Sequence, residues 1–245
     1  MRVRRLVFVM SLLAASGCGP DDAGAPAGAS TGDSSAEDPE RAAADTGISA
    51  AGPRVVFVGT SLTAGFGLST PDEAFAARLQ ELADSAGVPA RMVNAGVSGE
   101  TSAGGLRRIA WVLGDTVHVL VLELGANDGL RGLDPDALQD NLEAIIDSTR
   151  AHWPDARVVL VGMEAPPNLG PRYTRAFHDV FPAVARARET ALVPFLLEGV
   201  GGVRELNQDD GIHPTAEGHW RMARTIWPVL EPMLHELDGV GAAPR

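Results

Sequence analysis

The sequence predicts an α/β fold, a parallel sheet covered by helices on both faces. Short, continuous apolar runs such as "VVFV" (55–58) and "VHVLVLEL" (117–124) mark strands buried on both sides. Stretches with helical apolar spacing follow these runs, and strand and helix alternate five times. Glycine-bearing polar loops, "GTS", "NAGVSGET" and "GAND", follow the first three strands. In such folds ligands bind beyond the carboxyl ends of the strands.

The first strand is "RVVFV" and runs into Gly59-Thr60-Ser61. "STPDEAFAARLQELADSAG" (69–87) reads as one helix. Thr70 caps it, Pro71 suits its first turn, Glu73 completes a capping box and Gly87 ends it. Its apolar stripe is Phe75, Leu79, Leu82 and Ala86. "ARMVNAG" (90–96) is the second strand. "SAGGLRRIAWVL" (102–113) is a helix weakened by its paired glycines. After the third strand, Asp134 and Pro135 open a helix whose buried face is Leu138, Leu142, Ile145 and Ile146. "RVVLVGM" (157–163) is the fourth strand, followed by a Pro- and Gly-rich loop and a helix over 173–188. "ALVPFL" (191–196) is the fifth. A last helix begins after His213-Pro214 and reaches about residue 237.

The chain of 245 residues is long enough for one sizeable core. Its net charge of −12 argues against nucleic acid as a partner. All basic residues are arginine, which excludes a P-loop lysine, a lysine Schiff base and a Ser-Lys hydrolase together. Residues 1–18 read as an export signal. Arg2, Arg4 and Arg5 precede an apolar run too short to span a membrane, and "AASGC" ends at the only cysteine, Cys18. The pattern resembles a bacterial lipoprotein signal, which implies lipidation of Cys18 and a place at the periplasm-facing membrane surface. The other reading is plain secretion, with Cys18 lost in the cleaved piece. Residues 19–52 are small, polar and acidic and read as a disordered tether. The folded domain is expected over 53–238, with a tail at 239–245.

Four stretches can meet at one sheet edge, and they hold the parts for acyl transfer. Ser61 is a candidate nucleophile, and His213 is the base able to activate it. Asp210, three residues earlier in a tight turn, can orient the imidazole. The Ser61 N–H, the backbone at Gly99 and the Asn127 amide can form an oxyanion hole. Each residue alone has an ordinary reading as turn or cap chemistry, but together they supply every role. A neutral His213 acting as base predicts activity that rises with pH as the imidazole loses its proton.

Other motifs are weaker. "GFGLST" (65–70) comes near a dinucleotide fingerprint, but its first glycine lies past the turn and the second strand ends without an acid. Asp209, His213 and His219 fit no common zinc spacing. His118, His152, His178, His219 and His235 read as core or surface residues. Glu123, an acid within an apolar strand, reads as structural support for the site.

The blocks "NAGVSGETS", "LELGANDGLRG", "PPNLGPRYTRAF" and "QDDGIHP", with "GTSL" before them, resemble the SGNH, or GDSL, hydrolase superfamily, specifically its bacterial thioesterase, lysophospholipase and arylesterase branch. The resemblance implies a three-layer α/β/α sandwich with a five-stranded flavodoxin-like sheet. It implies the triad Ser61, Asp210 and His213, oxyanion donors at Ser61, Gly99 and Asn127, and no metal or organic cofactor. The expected activity is serine-dependent hydrolysis of acyl esters or thioesters by a monomer whose one membrane attachment is lipid at Cys18. A carbohydrate O-acetylesterase and an inactive, envelope-binding domain are the alternatives. The family usually has Asp where this chain has Thr60, a departure that bears on rate and pH optimum. The loop "EAPPNLGPRY" (164–173) is expected to wall an apolar acyl pocket through Pro166, Pro167 and Leu169.

Overall fold

The computed structural model describes residues 52–241. The expected signal, Cys18 and nearly all of the tether lie outside these residues. Five parallel strands form one sheet: β1 (Arg54–Gly59), β2 (Arg91–Gly96), β3 (Val119–Glu123), β4 (Arg157–Val161) and β5 (Ala191–Val193). Their order is β2-β1-β3-β4-β5, so the chain steps outward to β2 and crosses back past β1 to β3. The flavodoxin-like α/β/α sandwich expected from the sequence is the fold found.

The burial of each strand follows its place. Central β1 and β3 hold Val55 to Val58 and Val119 to Leu122 at 0% exposure, which is why they read as unbroken apolar runs. Edge strand β2 is only partly covered. Strand β5 is shorter than "ALVPFL", because Pro194 directly follows Val193 and has no N–H for the ladder.

Helices cover both faces. The helix α2 (Phe75–Ala86) packs on α7 (Ala216–Gly241), while α3 (Ser102–Val112), α5 (Pro135–His152) and α6 (Pro171–Ala187) pack in sequence with one another. One-turn helices α1 (Ser61–Ala64) and α4 (Ala126–Leu130) stand at the ends of β1 and β3. The core is Phe57, Phe75, Phe177 and Phe181 with leucines and isoleucines of the helices, including Leu138, Leu142 and Ile145.

The structure corrects three boundaries. The stretch expected as one helix from Ser69 divides. Glu73 accepts N–H bonds from Ser69 at 2.8 Å and Thr70 at 3.4 Å around a 3-10 turn at Pro71–Glu73, and the α-helix starts only at Phe75. The break follows from Ala74, whose extended backbone turns the chain between the two. The penultimate helix starts at Pro171 rather than Tyr173, with proline in its first turn. The last helix runs to Gly241, so the tail expected from 239 is helical over its first three residues. Among the described residues no helix is long and apolar enough to cross a membrane.

Candidate active site

The switch point between β1 and β3 gathers the sequence-predicted residues. Thr60 leaves β1 in an extended conformation and caps α1, its hydroxyl accepting from the Leu62 N–H at 3.3 Å. Ser61 is therefore the first helical residue, held at the carboxyl end of the sheet. Gly65, left-handed at φ 74°, closes this turn after four residues.

Asp210, His213 and Ser61 form one continuous hydrogen-bonded chain. His213 Nε2 lies 3.0 Å from Ser61 Oγ, and His213 Nδ1 lies 2.6 Å from Asp210 Oδ2. The other Asp210 oxygen accepts the N–H groups of Ile212 at 2.9 Å and His213 at 3.0 Å. These bonds, the His213 side chain first, hold the Asp210 carboxyl well below the usual range, at about 2. The carboxylate is thus ionised wherever the protein is folded near neutrality, and it fixes Nδ1 as the protonated nitrogen of a neutral His213. Nε2 is left as the acceptor facing Ser61.

The turn carrying this pair is anchored by a residue the sequence did not single out. Gln208 donates from Nε2 to the Phe66 carbonyl at 2.8 Å and the Pro214 carbonyl at 2.9 Å, and its N–H donates to the His213 carbonyl at 2.7 Å. It therefore ties the His213 turn to the loop after α1. The Phe66 ring lies 4.6 Å from the imidazole, centre to centre.

Gly99 and Asn127 face the same cleft as Ser61. Asn127 stands in α4, and its Nδ2 donates to the Glu100 carbonyl at 2.9 Å, which joins the two oxyanion candidates through one loop. Among the described residues the Asn127 amide donates no other hydrogen bond. Space at Gly99 is not what requires glycine: an added Cβ would meet nothing nearer than Arg131 at 3.9 Å. Its φ of +79° is the reason. Asp128, buried at 3% exposure, accepts from Ser102 N–H at 2.9 Å and Ser102 Oγ at 2.6 Å and locks α4 against the start of α3. Arg108 bonds the Glu100 carboxylate and the Ala95 carbonyl, bracing the Gly99 loop from outside.

The cleft has a volume of about 410 Å³. Beside the polar groups its walls are Leu62, Phe66, Leu130, Met163, Leu197 and Ile212. Pro166 lines it as expected, but Pro167 and Leu169 do not, because a 3-10 turn at Pro167–Leu169 carries them away. Glu164, on the same wall, bonds His178 Nδ1 at 2.7 Å. A larger cleft of about 560 Å³ beside β2 is bordered by Arg54, Arg108 and Trp111 and contains none of Ser61, Asp210 and His213.

The remaining histidines stand elsewhere. His118 accepts the Arg54 N–H on Nδ1 at 2.9 Å, and burial lowers its pKa. His219 accepts the Phe75 N–H at 3.2 Å, and burial pushes it down to about 4.

Glu123 proves to lie directly beneath the loop that carries Ser61. Its Oε2 accepts the Thr60 N–H at 2.9 Å and the Thr63 hydroxyl at 2.7 Å, and the Thr60 hydroxyl stands 3.1 Å from both oxygens. It is 1% exposed, and burial pushes its carboxyl up to about 7 against the pull of these bonds.

Residues 57–221 match the GDSL-like lipase/acylhydrolase family. The chain belongs to this family. It is 47% identical over 186 residues to Esterase TesA of Pseudomonas aeruginosa, covering 76% of this chain and 91% of that protein. It is 35% identical over 187 residues to thioesterase 1/protease 1/lysophospholipase L1 of Escherichia coli, covering 76% of this chain and 87% of that one. The crystal structure of TesA superposes with a TM-score of 0.70 at 45% identity, over 74% of this chain and 99% of the other. The GDSL-family membership expected from the four sequence blocks is therefore established, with the family match ending at Arg221, within α7.

Proposed function

We propose that Ser61, His213 and Asp210 carry out ester hydrolysis in this GDSL-family serine esterase. The observation that carries the reading is the unbroken chain from Asp210 through His213 to Ser61, with spacings of 2.6 and 3.0 Å at the mouth of an apolar cleft. His213 Nε2 takes the Ser61 proton as Oγ attacks the ester carbonyl carbon. The carbonyl oxygen becomes an oxyanion, held by the Ser61 and Gly99 N–H groups and the Asn127 amide. His213 returns the proton to the leaving alcohol or thiol as the C–O or C–S bond breaks. Water, deprotonated by His213, then attacks the acyl carbon; the bond to Ser61 Oγ breaks, His213 returns the proton to Oγ, and the acid leaves.

Substrate class follows from the walls. Apolar side chains favour acyl esters and thioesters of medium chain length, aryl esters and lysophospholipids among them. The esterase and thioesterase names of the relatives support the same range. The apolar run that follows Arg2, Arg4 and Arg5, and Cys18 at its end, support export and a lipid anchor. The test is hydrolysis of p-nitrophenyl esters from acetyl to palmitoyl by the full-length protein and its Ser61→Ala variant. The expected result is turnover with a maximum at intermediate chain length, abolished in the variant. Turnover that persists in Ser61→Ala would reject the assignment of Ser61. Absence of turnover on every ester by the folded wild type would reject the esterase reading.

A further inference from the structure

Glu123 has a role that the triad does not absorb. It ends β3 opposite Gly59 in the register of β1, so its side chain rises under the segment that carries Ser61. One carboxylate gathers the Thr60 N–H, the Thr60 hydroxyl and the Thr63 hydroxyl, which lie on both sides of Ser61. Thr60 then passes the restraint on, because its oxygen accepts the Leu62 N–H. The packing leaves no slack. A Cβ at Gly59 would stand 2.5 Å from Glu123 Oε2 and 2.0 Å from Thr63 Oγ1.

We propose that Glu123 is the positioning residue of the nucleophile loop, required as a carboxylate, and that Thr60 is its non-titrating donor partner. This rests on the reading of Ser61 as nucleophile. The chemistry of the cluster favours the ionised form, since three donors converge on a group that, once charged, only accepts. A neutral acid must place its own proton among these donors, so one of them has to turn away. Burial supplies the opposing pull, so this carboxyl changes state within the working pH range rather than far below it. Among the described residues no other charged side chain is bonded to the cluster. On the surrounding elements Asp128 is bonded to Ser102, Glu100 to Arg108, and His213 to Ser61 and Asp210, while Asn94 of β2 donates to the Thr63 carbonyl at 2.6 Å. The Thr60 departure thereby acquires a physical meaning. An Asp at this position would set a second carboxylate against Glu123, and two carboxyls in contact share one proton. Threonine offers the same donated hydrogen bond and cannot lose it as pH rises.

The experiment is the pH dependence of kcat and kcat/KM for a soluble p-nitrophenyl ester, with full-length wild type, Glu123→Gln, Thr60→Asp and Ser61→Ala. In the wild type both His213 and Glu123 must be deprotonated, so the acid limb of log kcat/KM approaches a slope of two. Glu123→Gln reduces that slope to one. It lowers kcat about 10- to 100-fold through misplacement of Ser61, with KM within about twofold. Thr60→Asp is active near neutrality and gains an alkaline limb, where the pair loses its shared proton. A wild-type slope of one, unchanged in Glu123→Gln, overturns the proposal while Ser61→Ala inactivity keeps the esterase reading. Should Glu123→Gln not fold, an alkaline limb in Thr60→Asp still supports the proposal, and a profile identical to wild type overturns it. Full activity in Ser61→Ala overturns both readings.

Discussion

Replacing Asp210 with asparagine changes one carboxylate oxygen for an amide NH2 and reverses the hydrogen-bond logic of the proposed triad. Asp210 uses both oxygens: Oδ1 takes the Ile212 and His213 N–H groups, and Oδ2 takes His213 Nδ1 at 2.6 Å. In Asp210→Asn the single carbonyl oxygen must stay with the two backbone donors, because the amide NH2 cannot accept from them. The NH2 then faces Nδ1 and requires it to be the acceptor. That places the imidazole proton on Nε2, the nitrogen 3.0 Å from Ser61 Oγ, where a free lone pair is needed. The geometry survives while the base is in the wrong tautomer. By comparison with the equivalent change in a serine protease triad, kcat falls by about 10⁴. This corresponds to roughly 5.4 kcal/mol of barrier. The assay is steady-state hydrolysis of a p-nitrophenyl ester at pH 7.5, with circular dichroism to verify folding. A loss smaller than about tenfold would show that Asp210 does not set the tautomer, and the account of His213 as base would fail with it.

Three further outcomes follow from the same structure. Asn127→Ala removes an amide aimed into the cleft and should lower kcat by about 10²–10³; a change below about threefold would remove Asn127 from the oxyanion hole. Ile212→Ala strips an apolar wall beside His213, so kcat/KM for octanoyl esters should fall about fivefold while acetyl esters are unaffected, and equal losses on both would place the acyl chain elsewhere. His219→Asn keeps an acceptor for the Phe75 N–H but cannot titrate. Burial lowers the native His219 pKa to about 4 from 6.5, so the neutral form stabilises the wild type above about 6.5 and that contribution is lost as pH falls toward about 4. The difference is on the order of 3 kcal/mol, and urea unfolding at pH 8 and pH 4 should show the wild type losing more stability than His219→Asn. Equal losses would mean that folding does not lower the His219 pKa.

Much of the fold is readable from the residues, and so is the gathering of the candidate site residues at one sheet edge, for a common reason. Central strands such as 55–58 are buried on both faces, so they can only be continuous apolar runs, and the polar residue that ends each one stands out. Ser61, Gly99, Asn127, Asp210 and His213 all follow strands or a turn of this kind. What stayed hidden depends on contacts between distant segments. Gln208 reaches the Phe66 carbonyl, 142 positions earlier in the chain, and no local pattern marks it. Glu123 stands out as an acid in an apolar strand, but its grip on Thr60 and Thr63 appears only once β1 and β3 are paired. The helix start at Phe75 is hidden in the sequence because the Thr70 and Glu73 capping signal is genuine chemistry that serves a 3-10 turn instead. The composition of the loop points Pro167 and Leu169 to the cleft, but both fall in a 3-10 turn outside its lining.

The most direct test of the central claim is to trap the nucleophile. The full-length protein is treated with an alkyl phosphonate ester carrying a good leaving group, then digested and mapped by mass spectrometry. One phosphonyl adduct per chain is expected, on Ser61, with loss of activity in proportion to labelling and no labelling in Ser61→Ala. An inactivated protein whose adduct lies on any other residue, or a Ser61→Ala variant that labels at the wild-type rate, would contradict the central claim.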